Sequence, residues 1–160
     1  MTTKYDELEK LQKDARDAFA AWEGAMVDFS TKFLGALRGA LGWPETSFTR
    51  LDRQPHEVPP GGRLGPGGYT DKEGYHFAVR ISVTHAWLQV VFTVKKNDAG
   101  TFDVKIGEQS FKKIDLREVG SLSAIIDDVT VAMRKLVLAA EFDELTGFSA
   151  NAAAETVVSK

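Results

Sequence analysis

The stretch Tyr75–Lys96, YHFAVRISVTHAWLQVVFTVKK, decides the fold. Apolar residues occupy every second position on both sides of Thr84–His85, which is the period of a strand with one buried face. If Thr84–His85 is a turn, Ile81 lies opposite Leu88 and both apolar sets share one face. The stretch therefore predicts an antiparallel hairpin. Its apolar sets are Tyr75, Phe77, Val79, Ile81 and Val83, then Ala86, Leu88, Val90, Phe92 and Val94.

The pattern continues beyond this hairpin. Asn97–Gly100, NDAG, is typical of a hairpin loop, and a third alternating segment follows it. Gly107–Glu108 can turn the chain into a fourth strand, in which Phe111 is expected to face inward. Ser47–Arg53 alternates weakly and is a possible fifth strand. The third segment contributes Phe102, Val104 and Ile106 to the apolar face.

Two helices are predicted to flank this meander. From Leu8 to Leu37 nine apolar residues recur in eight steps over 29 residues, a mean near 3.6. A second helical pattern runs from Leu122 to Ala140, with Gly147 as its stop. An antiparallel sheet with one apolar face needs a cover. The fold class is therefore α+β: a long N-terminal helix, a four- to five-stranded antiparallel meander and a C-terminal helix, with both helices on one face of the sheet.

The first helix is long for its domain. About 36 residues at ~1.5 Å each span ~54 Å, whereas a compact 160-residue domain is roughly 40 Å across. Either the helix breaks, with Gly24, Gly35 or Gly39 as the site, or its overhang packs on another chain.

The segment Glu57–Tyr69, EVPPGGRLGPGGY, is rich in glycine and proline but does not predict a phosphate site. No Lys-Ser or Lys-Thr follows its glycines, and Thr70 stands where a dinucleotide-binding fingerprint needs its third glycine. We expect 55–74 to be a flexible loop. Arg63 is its candidate ligand contact if the loop closes on a ligand.

No catalytic or metal motif is found. The chain lacks cysteine, and a Gly-x-Ser-x-Gly elbow is absent. His76 and His85 fall at opposite ends of one strand, nearly ~30 Å apart, and His56 adds one more isolated imidazole. Adjacent Asp127 and Asp128 point about 100° apart on a helix. We therefore expect neither an enzyme nor a cofactor.

One constellation remains, on the face that points away from the helices. There Trp87 lies across from Ser82 and Gln89 across from Arg80, in a surface that is flat and mixed in charge. An aromatic ring, an arginine and amides together are typical of a contact surface. Alternatively, Trp87 packs under the glycine loop. The candidate binding residues are Trp87, Arg80, Gln89, Val91 and Lys105, with Arg63 from the loop.

Length and charge bound the remaining questions. The 160 residues fit a single domain over 1–147 followed by a disordered tail, 148–160. The net charge of −3 argues against a whole-chain nucleic-acid binder. No apolar run approaches the ~20 residues of a membrane span, and the N-terminal residues lack an apolar leader. The absence of cysteine fits a reducing compartment, so we expect a cytoplasmic protein.

These features favour a non-catalytic adaptor or chaperone-like protein, homodimeric, which binds a protein partner through the open sheet face, the long helix or both. One alternative is a small-ligand binder with a pocket between sheet and helices, gated by 55–74. A second is a single-stranded nucleic-acid binder that uses Trp87 and the hairpin lysines.

Overall fold

The computed structural model describes residues 1–84, 86–97, 101–146 and 156–157. It has the predicted α+β architecture, in which two helices back one face of an antiparallel sheet. The helices are α1 (Lys4–Leu41) and α2 (Ser123–Thr146). The strands are β1 (Phe48–Leu51), β2 (Arg63–Gly65), β3 (Gly68–Thr70), β4 (Tyr75–Val83), β5 (Ala86–Lys96), β6 (Phe102–Ile106), β7 (Lys112–Ile114) and β8 (Thr156–Val157).

The central hairpin has the predicted register. Strands β4 and β5 pair with Ile81 opposite Leu88 and Val83 opposite Ala86, so the connection is a tight turn. Thr84 in that turn has a φ of 51°, a conformation that is rare for a β-branched residue. The sheet order is β2-β3-β4-β5-β6-β7, and β1 also pairs with β4. The meander β4-β5-β6-β7 and the additional strand β1 are thereby confirmed.

The glycine-rich segment contains two strands that sequence reasoning missed. β2 and β3 form a hairpin that joins the sheet where Tyr69 pairs with His76. Pro66 and Gly67 make the turn between them, and the Gly67 φ of 69° is that of the second central residue in a type II turn. The predicted loop 55–74 thus contains a hairpin, because one Pro-Gly pair serves as a turn instead of interrupting a strand.

Helix α1 is unbroken. Thr3 caps its start, with the Thr3 hydroxyl accepting from the Asp6 amide and the Asp6 carboxylate accepting from the Thr3 amide. Gly42, with a φ of 70°, ends it. The helix therefore does not break at Gly24, Gly35 or Gly39, which was one of the two predicted outcomes. The other, an overhang that packs on another chain, stays a prediction.

The core lies between the two helices and the sheet. Phe33 of α1 is fully buried and meets Phe92 and Phe77 edge to face, with ring centroids 5.2 and 6.4 Å away. Among the α2 side chains that the structure describes, three are buried in the same cluster. Their apolar burial is the main source of stability. These three are Ile125, Val129 and Met133.

Phe111 does not face inward as predicted. Because Val104 pairs with Lys112, the residue before Lys112 falls on the outer face. The Phe111 ring lies there beneath the Lys95 and Lys105 ammonium groups, at 4.2 and 5.3 Å from its centroid. Lys112 points to the helix side instead, and its Nζ lies 2.6 Å from Asp128 Oδ2 on α2.

The predicted end of α2 at Gly147 and most of the predicted tail lie outside the described residues. Thr156 and Val157 are described, and they form β8, which runs parallel to β5. Within the described part of the chain, neither helix has the length and apolarity that crossing a membrane requires.

Candidate interaction surfaces

Four of the predicted site residues form one patch on the outer face, the side of the sheet opposite the helices. Arg80 on β4 pairs with Gln89 on β5. Trp87 and Val91 are the outward-facing residues of β5 two positions before and two positions after Gln89. The Arg80 guanidinium carbon lies 4.3 Å from the Trp87 ring centroid. Arg80 is exposed and the other three are half-buried. We call Arg80, Trp87, Gln89 and Val91 the Trp87 patch.

Lys105 lies on the same face, one position beyond the patch. It pairs with Thr93, and its ammonium forms an ion pair with the Glu73 carboxylate while lying over the Phe111 ring. Only 11% of its side chain is exposed. Its charge is therefore already engaged within the chain.

Arg63 lies apart from the patch. It pairs with Thr70, which in turn pairs with Tyr75, so its side chain is on the helix side of the sheet. There the Arg63 guanidinium carbon lies 4.4 Å from the Phe19 ring centroid on α1. The hairpin that carries Arg63 joins β4 at Tyr75–His76, about 20 Å along the strands from Trp87.

A buried polar network fills the other end of the outer face. The His76 Nε2 lies 2.7 Å from Asp71 Oδ1, and its Nδ1 lies 2.8 Å from Thr93 Oγ1. Tyr69 stacks on the imidazole at 4.5 Å between centroids, and Arg53 covers Tyr69 in turn. Sequence reasoning missed this network because it depends on the β3–β4 pairing, which no pattern indicated.

The network has the groups of a proton relay but not the access. A carboxylate, an imidazole and a hydroxyl in line resemble a nucleophile with its base. However, Thr93 and His76 are 3% and 5% exposed, and Tyr69 lies over the ring. Asp71, Glu73 and His76 also lie within 4.8 Å of one another, a spacing that suits a metal. Glu73 is paired with Lys105, however, and both His76 nitrogens are hydrogen-bonded. The cluster therefore fits a structural role, which is to hold the 71–74 turn against β4.

The hydrogen bonds of this cluster favour the ionised form of Asp71. Burial alone would raise the pKa of Asp71. The hydrogen bonds from His76 and from the Glu73 and Gly74 amides outweigh that effect and hold the pKa below its usual value. The Asp71 carboxylate thus joins the 71–74 turn to β4.

A shallow pocket of about 240 Å³ opens between α1 and β1. Arg38 and Arg50 supply its positive charge. Arg50 donates to the Tyr75 hydroxyl at 2.6 Å and lies 5.0 Å from the Phe77 ring centroid. The lining residues are Thr31, Leu34, Gly35, Arg38, Glu45, Phe48 and Arg50.

The N-terminal half of α1 carries a group of exposed apolar side chains. Residues 1–18 are all exposed, and burial begins at Phe19. Tyr5, Leu8 and Leu11 are 72%, 64% and 64% exposed. They lie on the same helical stripe as the buried Met26 and Phe29, continued past the edge of the domain. We call Lys4–Ala18 the α1 overhang.

The fold and these surfaces define an α+β protein with an apolar helical overhang and an aromatic patch on an open sheet face. Comparison with protein-family models, with curated proteins and with solved structures yields no significant match. The chemistry of the surfaces therefore carries the functional proposal.

Proposed function

We propose that this chain is a non-catalytic interaction protein that self-associates through the α1 overhang and presents the Trp87 patch to a protein partner. The exposure of Leu8 and Leu11, 64% each on a helix that makes its buried contacts elsewhere, carries the proposal. Apolar side chains that continue a buried stripe into water are typical of a surface that another chain covers. A second copy is the simplest occupant, because it brings an identical stripe.

The size of the overhang bounds the strength of this association. Fifteen helical residues span ~22 Å, and a cylinder ~10 Å wide offers about 350 Å² on one side. A stable interface needs about 800 Å² from each partner. The overhang supplies less than half of that, so half-buried Phe19 and Trp22 must join the contact. We expect a monomer–dimer equilibrium that depends on concentration.

The Trp87 patch is the proposed surface for the partner. Tryptophan and arginine dominate binding energy at protein interfaces, chiefly where neighbouring groups exclude water from them. Here Arg80 lies over the Trp87 ring, so the two side chains form one unit on a flat sheet. A cytoplasmic location belongs to the same proposal, since a chain without cysteine suits a reducing compartment.

Sedimentation velocity over a hundredfold range of concentration tests the self-association. The wild-type chain is expected to shift from monomer towards dimer, whereas Leu8→Glu with Leu11→Glu stays monomeric. Lys10→Gln with Lys13→Gln is the matched control, because it changes the net charge by the same amount on the opposite side of the overhang. A wild-type chain that is monomeric at every concentration would overturn the proposal.

Single-stranded nucleic acid is a second candidate occupant of the outer face. The structure adds Tyr69 and Phe111 to the aromatic groups there, and like Trp87 each has a cation at its ring. Aromatic stacking with backbone cations is how such proteins hold a strand. Titration with labelled oligonucleotides at ~50 mM salt, where phosphate contacts are strongest, decides between the two.

A further inference from the structure

Strand β5 has an edge that its neighbour β6 does not cover. β5 is 11 residues long, but β6 pairs only with Phe92–Lys96 and ends at Ile106. The Ala86–Val91 half of β5 extends past that end. Open strand edges are templates for pairing with another segment, and proteins normally protect them.

In this half of β5, backbone polar groups point within the plane of the sheet, away from β4 and towards the uncovered edge. The Val91 carbonyl accepts from the Gly107 amide on the β6 side, which fixes the direction of its polar groups. Backbone groups alternate in direction along a strand, so Gln89 and Trp87 present their N–H and C=O to the same side. Trp87 and Gln89, both in the Trp87 patch, therefore supply backbone hydrogen-bonding groups at this edge.

The C-terminal segment occupies part of this edge. Thr156 pairs with Gln89 and Val157 with Val90, in parallel. Within the described residues, no other strand pairs with β5 beyond the end of β6 on this edge, while β4 pairs with the opposite edge. Two described residue pairs join this segment to β5, compared with nine between β4 and β5, so we expect the segment to be readily displaced.

We propose that the Ala86–Val91 edge of β5 is a docking site for an extended peptide segment, and that the chain's own Thr156–Val157 is its resident occupant. Resting on the proposed function, this names the binding mode: a partner segment adds to the sheet as a strand and must displace β8 first. A segment rich in β-branched residues, as in Glu155–Ser159, ETVVS, suits that mode. Only molecules whose edge is free of the resident segment can bind the partner segment, so the apparent affinity for the partner equals the intrinsic affinity multiplied by that free fraction.

Amide hydrogen exchange of the full-length chain, read by NMR, tests occupancy. Thr156→Pro with Val157→Pro removes two amide donors and prevents pairing. Exchange at Gln89 is expected to rise about tenfold. Val90, whose polar groups face β4, reports on the fold and stays protected. Ala152→Pro with Ala153→Pro is the control, since it places the same prolines earlier in the sequence than Thr156 and Val157. Equal exchange at Gln89 in wild type and variant overturns the occupancy.

A peptide of residues 151–160, NAAAETVVSK, tests docking. Added to the Thr156→Pro, Val157→Pro chain it is expected to restore protection at Gln89 saturably, and to bind wild type more weakly. A peptide carrying the same two prolines serves as the control. No restoration at any concentration overturns the docking site, and wild-type protection that grows with chain concentration assigns the occupant to a second copy, against the proposal.

These outcomes are separate from those for the overhang. The Leu8→Glu, Leu11→Glu chain keeps β5 and β8 intact, so its Gln89 exchange is expected to equal that of wild type. If self-association is not observed but Gln89 behaves as expected in the exchange experiments, the docking-site proposal holds and the overhang proposal fails. If the exchange experiments fail but self-association is observed, the overhang proposal holds and the docking-site proposal fails.

Discussion

The Arg80 guanidinium carbon lies 4.3 Å from the Trp87 ring centroid, although the two residues are diagonal neighbours on adjacent strands rather than a direct pair. Diagonal partners in a sheet are about 7–8 Å apart at the backbone, within reach of long side chains. The contact is on the face that the helices leave uncovered. It therefore organises a surface and contributes little to the core.

This placement predicts unequal stability effects on the two faces of β5. Arg80→Gln is expected to lower the free energy of unfolding by less than about 1 kcal/mol, the value of an exposed cation–π contact. Leu88→Ala, one residue from Trp87 but 3% exposed on the core side, is expected to cost about 2–5 kcal/mol. Urea denaturation followed by far-ultraviolet circular dichroism measures both. Comparable losses for the two variants would place Arg80 in a structural role instead.

The sequence predicts the central hairpin well because its register follows from one local rule. Ile81 and Leu88 lie on one face in any hairpin that turns at Thr84–His85, and period two leaves no second solution. Length and period likewise predict a long α1, although they leave open whether it breaks or overhangs the domain. The register of this hairpin and the length of α1 depend only on residues that are close together in the sequence.

Features that depend on distant pairing were not predictable in this way. Phe111 was assigned to the wrong face because the connection between β6 and β7 sets its parity, and no residue pattern fixes that connection. The Asp71–His76–Thr93 network requires β3 to pair with β4. The same pairing places the Arg63 side chain against α1. A single unrecognised turn at Pro66–Gly67 thus accounts for both.

The Asp71 carboxylate is expected to make stability depend on acidity. Its folded pKa lies below the usual value of 3.8, so its contribution is complete above that pH and is lost as the pH falls through the folded pKa. Asp71→Asn should therefore lower the free energy of unfolding at pH 7, and the gap to wild type should shrink below about pH 4. Urea denaturation from pH 7 to 3 measures this. Asp127→Asn, exposed on α2, is the control. A gap that persists at pH 3 would contradict the ionic role.

Two glycines are expected to respond to alanine with opposite signs. Gly67→Ala places a Cβ at a φ of 69° and 2.8 Å from Arg50 Nη2, so it should cost about 1–2 kcal/mol. Gly24→Ala meets nothing within 4 Å on the exposed side of α1 and should stabilise the chain by about 0.5–1 kcal/mol. Thermal unfolding distinguishes them. A neutral Gly67→Ala would mean that the β2–β3 turn tolerates another conformation.

Limited trypsin digestion is expected to remove the α1 overhang first. Lys10, Lys13 and Arg16 are all exposed on a helical segment without buried contacts, so local unfolding there costs less than anywhere in the sheet. Cleavage tracks the population of the opened segment. Self-association should oppose local unfolding of this segment, so at a fixed trypsin-to-chain ratio the fraction cut per minute is expected to fall as chain concentration rises. The clipped chain should keep its thermal transition but lose the dimer. First cuts at Lys95 or Lys96 instead would show that β5 opens before the overhang does.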